Sequence, residues 1–333
     1  MVVGIVVGHF FPDHPAGQKG FQASDLQILS NVFLRMIKSL IVPLLFGTLV
    51  VGIAGHGDDM KRVGRLAFRS ILYFEVVTTL ALAVGLLAWG PVPLLPEMHH
   101  YADERTLLGL PHAMNVLANV PLFAAGAWGW RAFARCPWPA AVRLPWKLFF
   151  ACAMLAALLA TGYHVAPGAV GYLLAQIVAA GGFVMLLCGF LAERVDARFG
   201  SARSCVTALA LVAGAGVLIG LLWSRSGVID LRPLMLLQVL PVLLIPAGAL
   251  GLAGQHTRAG DWFLMLGLYA LCKLCELGDE TVLAATGAVS GHTLMHLGLA
   301  LITAWLAYRV AASATVVAAA APSPSAESRA STA

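Results

Sequence analysis

Apolar runs of about 20 residues, each the length needed to cross a bilayer as a helix, recur along this chain from residue 25 to residue 310. Hydrocarbon offers no partner to a backbone N–H or C=O, so such runs must satisfy their hydrogen bonds internally, as helices do. The chain is 60% hydrophobic and only 11% charged, whereas soluble domains carry roughly 25% charged residues. Short segments alternating polar and apolar residues, the mark of a membrane β-barrel, are missing from the sequence. The expected fold is therefore an all-α polytopic membrane protein.

Spans are expected at about 25–54, 61–89, 107–130, 147–164, 170–192, 204–223, 233–253, 262–277 and 291–310. Residues 1–11 are apolar but too short to span, and read as a first helix lacking its N-terminal half. Pro91, Pro93 and Pro96 interrupt the pattern after residue 90, which marks 91–106 as a join. Three regions result: 1–90, 91–313, and an Ala/Ser/Pro-rich tail at 314–333 expected to be disordered.

Every second loop is basic. Lys61, Arg62, Arg65 and Arg69 share one; Arg131, Arg135, Arg143 and Lys147 the next; then Arg194, Arg198 and Arg203, Arg258, and Arg309. The positive-inside rule makes these loops cytoplasmic and places the C-terminal tail there too. The net charge of +5 is accounted for by these loops, so nucleic acid is not expected as a partner.

Two resemblances divide the chain. Residues 33–54 read Phe-Leu-Arg-Met-Ile-Lys-Ser-Leu-Ile-Val-Pro-Leu-Leu-Phe-Gly-Thr-Leu-Val-Val-Gly-Ile-Ala. With Gly8-His9-Phe10-Phe11-Pro12 and the stretch Leu72-Tyr73-Phe74-Glu75, this resembles the dicarboxylate/glutamate–cation symporter family. The resemblance implies scaffold helices, and for Arg35, Lys38 and Glu75 interfacial or subunit contacts. It implies substrate and ion sites in later re-entrant hairpins, for which residues 91–333 show no matching serine-rich or broken-helix segment.

The second stretch runs from Tyr101-Ala102-Asp103-Glu104-Arg105 through Cys272-Lys273-Leu274-Cys275-Glu276 to Ser290-Gly291-His292-Thr293-Leu294-Met295-His296. It resembles the alkaline ceramidase family of seven-helix membrane hydrolases. The resemblance implies zinc, a membrane lipid amide as substrate, and a calcium-binding entry segment matched in part by Asp103, Glu104 and Asn115. A helix N-cap is the other reading of Asp103.

The residues speak for a metal independently. His292 and His296 are four apart, hence on one helix face, at a spacing that lets both imidazoles reach one zinc. His164 ends an outward-running span and the other two begin an inward-running one, so all three belong at the outer membrane edge. A three-histidine site with an open position is catalytic in type; the other reading is interfacial histidines bonding to helices. The resemblance implies a serine and an aspartate flanking His164, but Ala160 and Ala175 stand there, with Thr161 and Gln176 as polar neighbours. No catalytic acid or base is thereby assigned, and a weakened or inactive hydrolase is expected. The alternatives are a symporter fragment or fusion, and a non-catalytic membrane protein.

Lys273, Glu276 and Asp279 share a helix edge and read as a structural ion-pair set. Cys272 and Cys275 form C-x-x-C within a membrane stretch and read as small apolar helix residues. His99 and His100 read as loop residues, and Gly214 and Gly216 as points of close helix packing.

Overall fold

The computed structural model describes residues 90–320 apart from 135 and 137, with scattered positions between 70 and 88. The expected helices at 1–11 and 25–54, most of 61–89, and Arg35, Lys38 and Glu75 lie outside the described residues. The chain divides into two compact units, 1–67 and 68–333, and the described residues all belong to the second.

The described residues are helical, with no strand among them: α1 Ala113–Leu117, α2 Asn119–Ala134, α3 Ala140–Val165, α4 Ala169–Arg194, α5 Ala202–Ser226, α6 Arg232–Gly251, α7 Ala259–Leu277, α8 Asp279–Thr286 and α9 Gly291–Ala320. This is an all-α polytopic membrane protein. Four helices, α3 to α6, are long and apolar enough to span a membrane, or up to five if α8 and α9, bent by 99°, count as one. The sequence pattern suggests more. At 16 residues α2 is short, and α7 carries Asp261, Lys273 and Glu276.

Local chemistry sets the ends. Ser201 caps α5, its hydroxyl accepting from Ser204 N–H. Gly227 ends α5 with φ +72° and Gly287 ends α8 with φ +65°, a left-handed conformation that glycine adopts without a Cβ penalty. Pro233 begins α6, where its missing N–H costs nothing. The span expected from residue 107 starts as helix only at Ala113. Residues Leu107–Leu110 instead pair with each other across a tight turn containing Leu108 and Gly109, both at positive φ. At the other end α9 continues to Ala320, so the first residues of the expected disordered tail are helical. They are mostly alanine, the strongest helix former.

Packing runs in a ring. α2 lies against α3, α3 against α4, α4 against α6, α6 against α7, α7 against α9, and α9 against α2; α5 packs on α4 and α6. An aromatic core that includes Phe133, Trp146, Phe149, Phe150, Phe190 and Trp262 fills one end of the ring. Trp146 and His164 sit on the same helix, 18 residues apart, or about 27 Å at 1.5 Å per residue. The histidines therefore lie at the end of the ring opposite this core. Gly216 serves the expected close approach, since a Cβ there would meet Ile177 Cδ1 at 2.5 Å; Gly214 faces open space.

Candidate metal centre

Two helices deliver the histidines. His164 occupies the last turn of α3, and His292 and His296 the first turns of α9. All three are buried. His164 Nε2 lies 3.1 Å from His296 Nε2, which lies 3.1 Å from His292 Nε2, and one ligand atom from each falls within 4.8 Å of the others. Zinc–nitrogen bonds of about 2.05 Å at tetrahedral angles put two nitrogens roughly 3.3 Å apart. Two of the three separations lie near that value, so these are the residues that could hold a zinc ion.

The alternative of histidines bonded only to each other meets a geometric difficulty. A neutral imidazole nitrogen is either one donor or one acceptor. His296 Nε2 faces two ring nitrogens at equal distance and can serve only one of them well. The support usual around zinc histidines, a carboxylate or carbonyl on the second ring nitrogen, is sparse. Among the described residues, Nδ1 of His164 and of His296 has no hydrogen-bond partner, and the Glu276 carboxylate stands 3.9 Å from His292 Nδ1.

The histidines open onto a cavity of about 480 Å³ whose walls come from α2, α3, α4, α6, α7 and α9. Ala160 and Ala175, where the ceramidase resemblance implies a serine and an aspartate, both line it, as does Gln176. Gln176 accepts a hydrogen bond from Gln238 Nε2 at 2.9 Å. Beside it, Lys273 donates to Glu276 at 2.6 Å. That ion pair is the one the helix spacing suggests, but it faces the cavity rather than serving structure alone. A second, apolar cavity of about 180 Å³ shares Leu122, Ala156, Ala179, Phe183, Tyr269 and Leu299 with the first.

Sequence reasoning missed the tyrosines. The Tyr101 ring lies 4.4 Å from the His292 ring and 4.9 Å from that of His164. Its hydroxyl donates to Tyr163 Oη at 2.8 Å, and His99 Nδ1 lies 2.7 Å from the same oxygen. Burial raises the Tyr101 pKa well above that of an ordinary phenol, so the hydroxyl stays protonated. His99, expected as a loop residue, thus belongs to this cluster, at the end of a 3-10 turn over Pro96–His99. No motif or periodicity marks Tyr101; its place beside the histidines comes from packing.

The entry segment does not gather oxygens around a common point. Asp103 is buried and paired with Arg105 at 2.6 Å, whose hydrogen bonds hold its carboxyl below the usual carboxylate range. Asn115 Oδ1 accepts from Thr293 Oγ1 at 2.8 Å, and Glu104 is exposed, 4.0 Å from His100 Nδ1. Asp103 caps no helix either, since α1 begins after His112. Cys272 and Cys275 are free, on one face of α7.

Comparison with known proteins concerns the other end of the chain. Residues 1–99 match the sodium:dicarboxylate symporter family. A C4-dicarboxylate transport protein of Paraburkholderia xenovorans (strain LB400) is 44% identical over 109 residues, covering 33% of this chain and 23% of that protein. One from Laribacter hongkongensis (strain HLHK9) is 45% identical over 86 residues, covering 26% and 18%. A proton/sodium-glutamate symport protein of Geobacillus stearothermophilus is 42% identical over 88 residues, covering 26% and 20%. The chain thus spans about a quarter or less of the length of these relatives. No solved structure matches. Most of the matched residues lie outside the described ones, and these comparisons lend the ceramidase resemblance no support.

Proposed function

We propose that residues 91–313 form a zinc-dependent hydrolase acting on a lipid amide at the outer membrane face. The observation that supports this reading is the convergence of three buried histidines, with His296 Nε2 3.1 Å from Nε2 of both His164 and His292 and one ligand atom of each within 4.8 Å of the others. His164, His292 and His296 would hold the ion. Zinc in such a site, when bound, polarises a carbonyl and activates water. The chain's own residues contribute binding and exclusion of water. Tyr101 covers two of the histidines, and the adjoining apolar cavity offers room for hydrocarbon beside them. Because Ala160 and Ala175 supply no proton acceptor, turnover is slow; a positioned acid or base is worth about 10²–10⁴-fold.

The test is zinc content and cleavage of N-acyl amides, measured on purified wild-type protein and His296→Ala. Zinc near one equivalent in wild type, lost with any activity in His296→Ala, supports the reading. Absence of zinc, or activity unchanged by the substitution, refutes it.

A second reading is favoured by the matches at residues 1–99. In it the chain is a fragment or fusion of a cation-coupled symporter for dicarboxylates or glutamate, and transport describes its origin or its activity. Coupled uptake measured on the whole chain separates the two readings.

A further inference from the structure

One carboxylate bridges the histidine pair and the tyrosine that covers it. Asp279 opens α8, next to the cavity. Its Oδ1 accepts from His292 N–H at 2.7 Å, and its Oδ2 accepts from Ala102 N–H at 2.9 Å. The first N–H belongs to the opening turn of α9, where amides lack intrahelical partners. A carboxylate there is stabilised by both its hydrogen bonds and the helix dipole. The second N–H belongs to the residue after Tyr101. The two oxygens of one side chain thus fix the backbone of a histidine and the backbone beside the ring that lies tilted against it.

We infer that Asp279 is a positioning residue that locks His292 and the Tyr101 cover into one arrangement, so that metal affinity and the closure of the site depend on the same group. The inference deepens the zinc reading and rests on it for its metal-binding consequence. The covering segment has a second tether, Arg105 donating to the Ala288 carbonyl just before α9. That tether leaves Ala102 itself unheld; the Tyr101 ring is bonded through its hydroxyl to Tyr163, and Asp279 holds the backbone next to it.

Asp279→Asn tests it in the full-length detergent-solubilised chain. Asparagine has one acceptor oxygen, so its amide N–H₂ must confront one of the two N–H donors. Two measurements are made: backbone hydrogen exchange, and binding of Co²⁺ alone, read by its visible absorption. Exchange should quicken at both 101–105 and 291–296, and Co²⁺ affinity should fall about 10–100-fold, the usual effect of losing an outer support of a metal ligand. No change in exchange, or quickening at one segment alone, overturns the inference. If wild type binds no Co²⁺, the metal reading falls, and the exchange result still decides whether Asp279 couples the two segments. Should the asparagine variant exchange fast throughout the bundle, Asp279→Glu replaces it. That variant keeps both oxygens on a longer arm, and the two segments should loosen together; loosening of one alone counts against the coupling.

Discussion

Ala175 puts a methyl group on the wall of the histidine cavity, where a carboxylate would stand within the same enclosure as three imidazoles. The neighbouring amide of Gln176 is engaged by Gln238 and has no basic site to accept a proton. Ala175→Asp should therefore raise N-acyl amide cleavage by about 10²-fold or more, without raising it in the His296→Ala background. Steady-state rates of the single and double variants check this; equal gains in both would detach the activity from the histidines. The closeness of His292 and His296 was legible in the sequence because they are neighbours by helix spacing. His164 is 132 residues from His296 and was legible only through the alternation of basic loops. Tyr101 was not legible, since a ring contact made from a loop leaves no period. Asp279 reads from its spacing as part of an ion-pair set, yet its carboxylate accepts two backbone N–H bonds, contacts that side-chain spacing does not reveal.

At the scale of elements, the placement of the histidines depends on how closely α9 approaches α7. A Cβ added at Gly298 would overlap Cys272 Sγ, and one at Gly291 would overlap the Cys275 carbonyl oxygen and lie 2.8 Å from Asp279 Cα. The C-x-x-C thus marks one side of a close helix contact. This agrees with reading its cysteines as small helix residues, and the glycines on the facing helix supply the other side. At Gly291 the obstacles are backbone atoms, which cannot rotate away. Gly291→Ala should destabilise the protein by about 1–3 kcal/mol, the usual cost of overpacking, and should weaken metal binding by shifting the start of α9. Thermal melts in detergent with and without added Zn²⁺ check both effects; a melting temperature equal to wild type would show that α9 moves freely against α7. The starts expected at 204 and 233 fall within two residues of those of α5 and α6, at Ala202 and Arg232. The start of the span expected from residue 107, which is helical only from Ala113 in α1, was misplaced because the apolar stretch from Leu107 continues through a turn whose Leu108, although apolar, adopts positive φ.

For the whole molecule, two affinities overlap in sequence. The symporter match extends to residue 99, into the join expected at 91–106. Residues of that stretch also contact the bundle: Leu94 N–H donates to the Ile229 carbonyl, Leu231 N–H to that of Val92, and His99 meets Tyr163. The helix ring encloses the two cavities, and α5 contributes to neither; the larger carries histidines suited to a cation. Cation-coupled carboxylate transport calls for a different design, with discontinuous helices whose ends meet substrate and ion near the bilayer midplane, repeated in related halves. Among the described residues, α3, α4 and α5 are single helices of 25 or 26 residues, while α8 and α9, bent by 99°, form a broken or re-entrant pair. The proline-containing α6 is also continuous over Arg232–Gly251. The prediction is that the purified full chain in liposomes takes up no aspartate, glutamate or succinate under an imposed sodium or proton gradient, beyond what empty liposomes take up. Gradient-dependent uptake, abolished when the gradient is collapsed, would overturn this and make transport the activity of the chain. Uptake at the background level alongside zinc bound by the three histidines would instead place the working chemistry in residues 91–313.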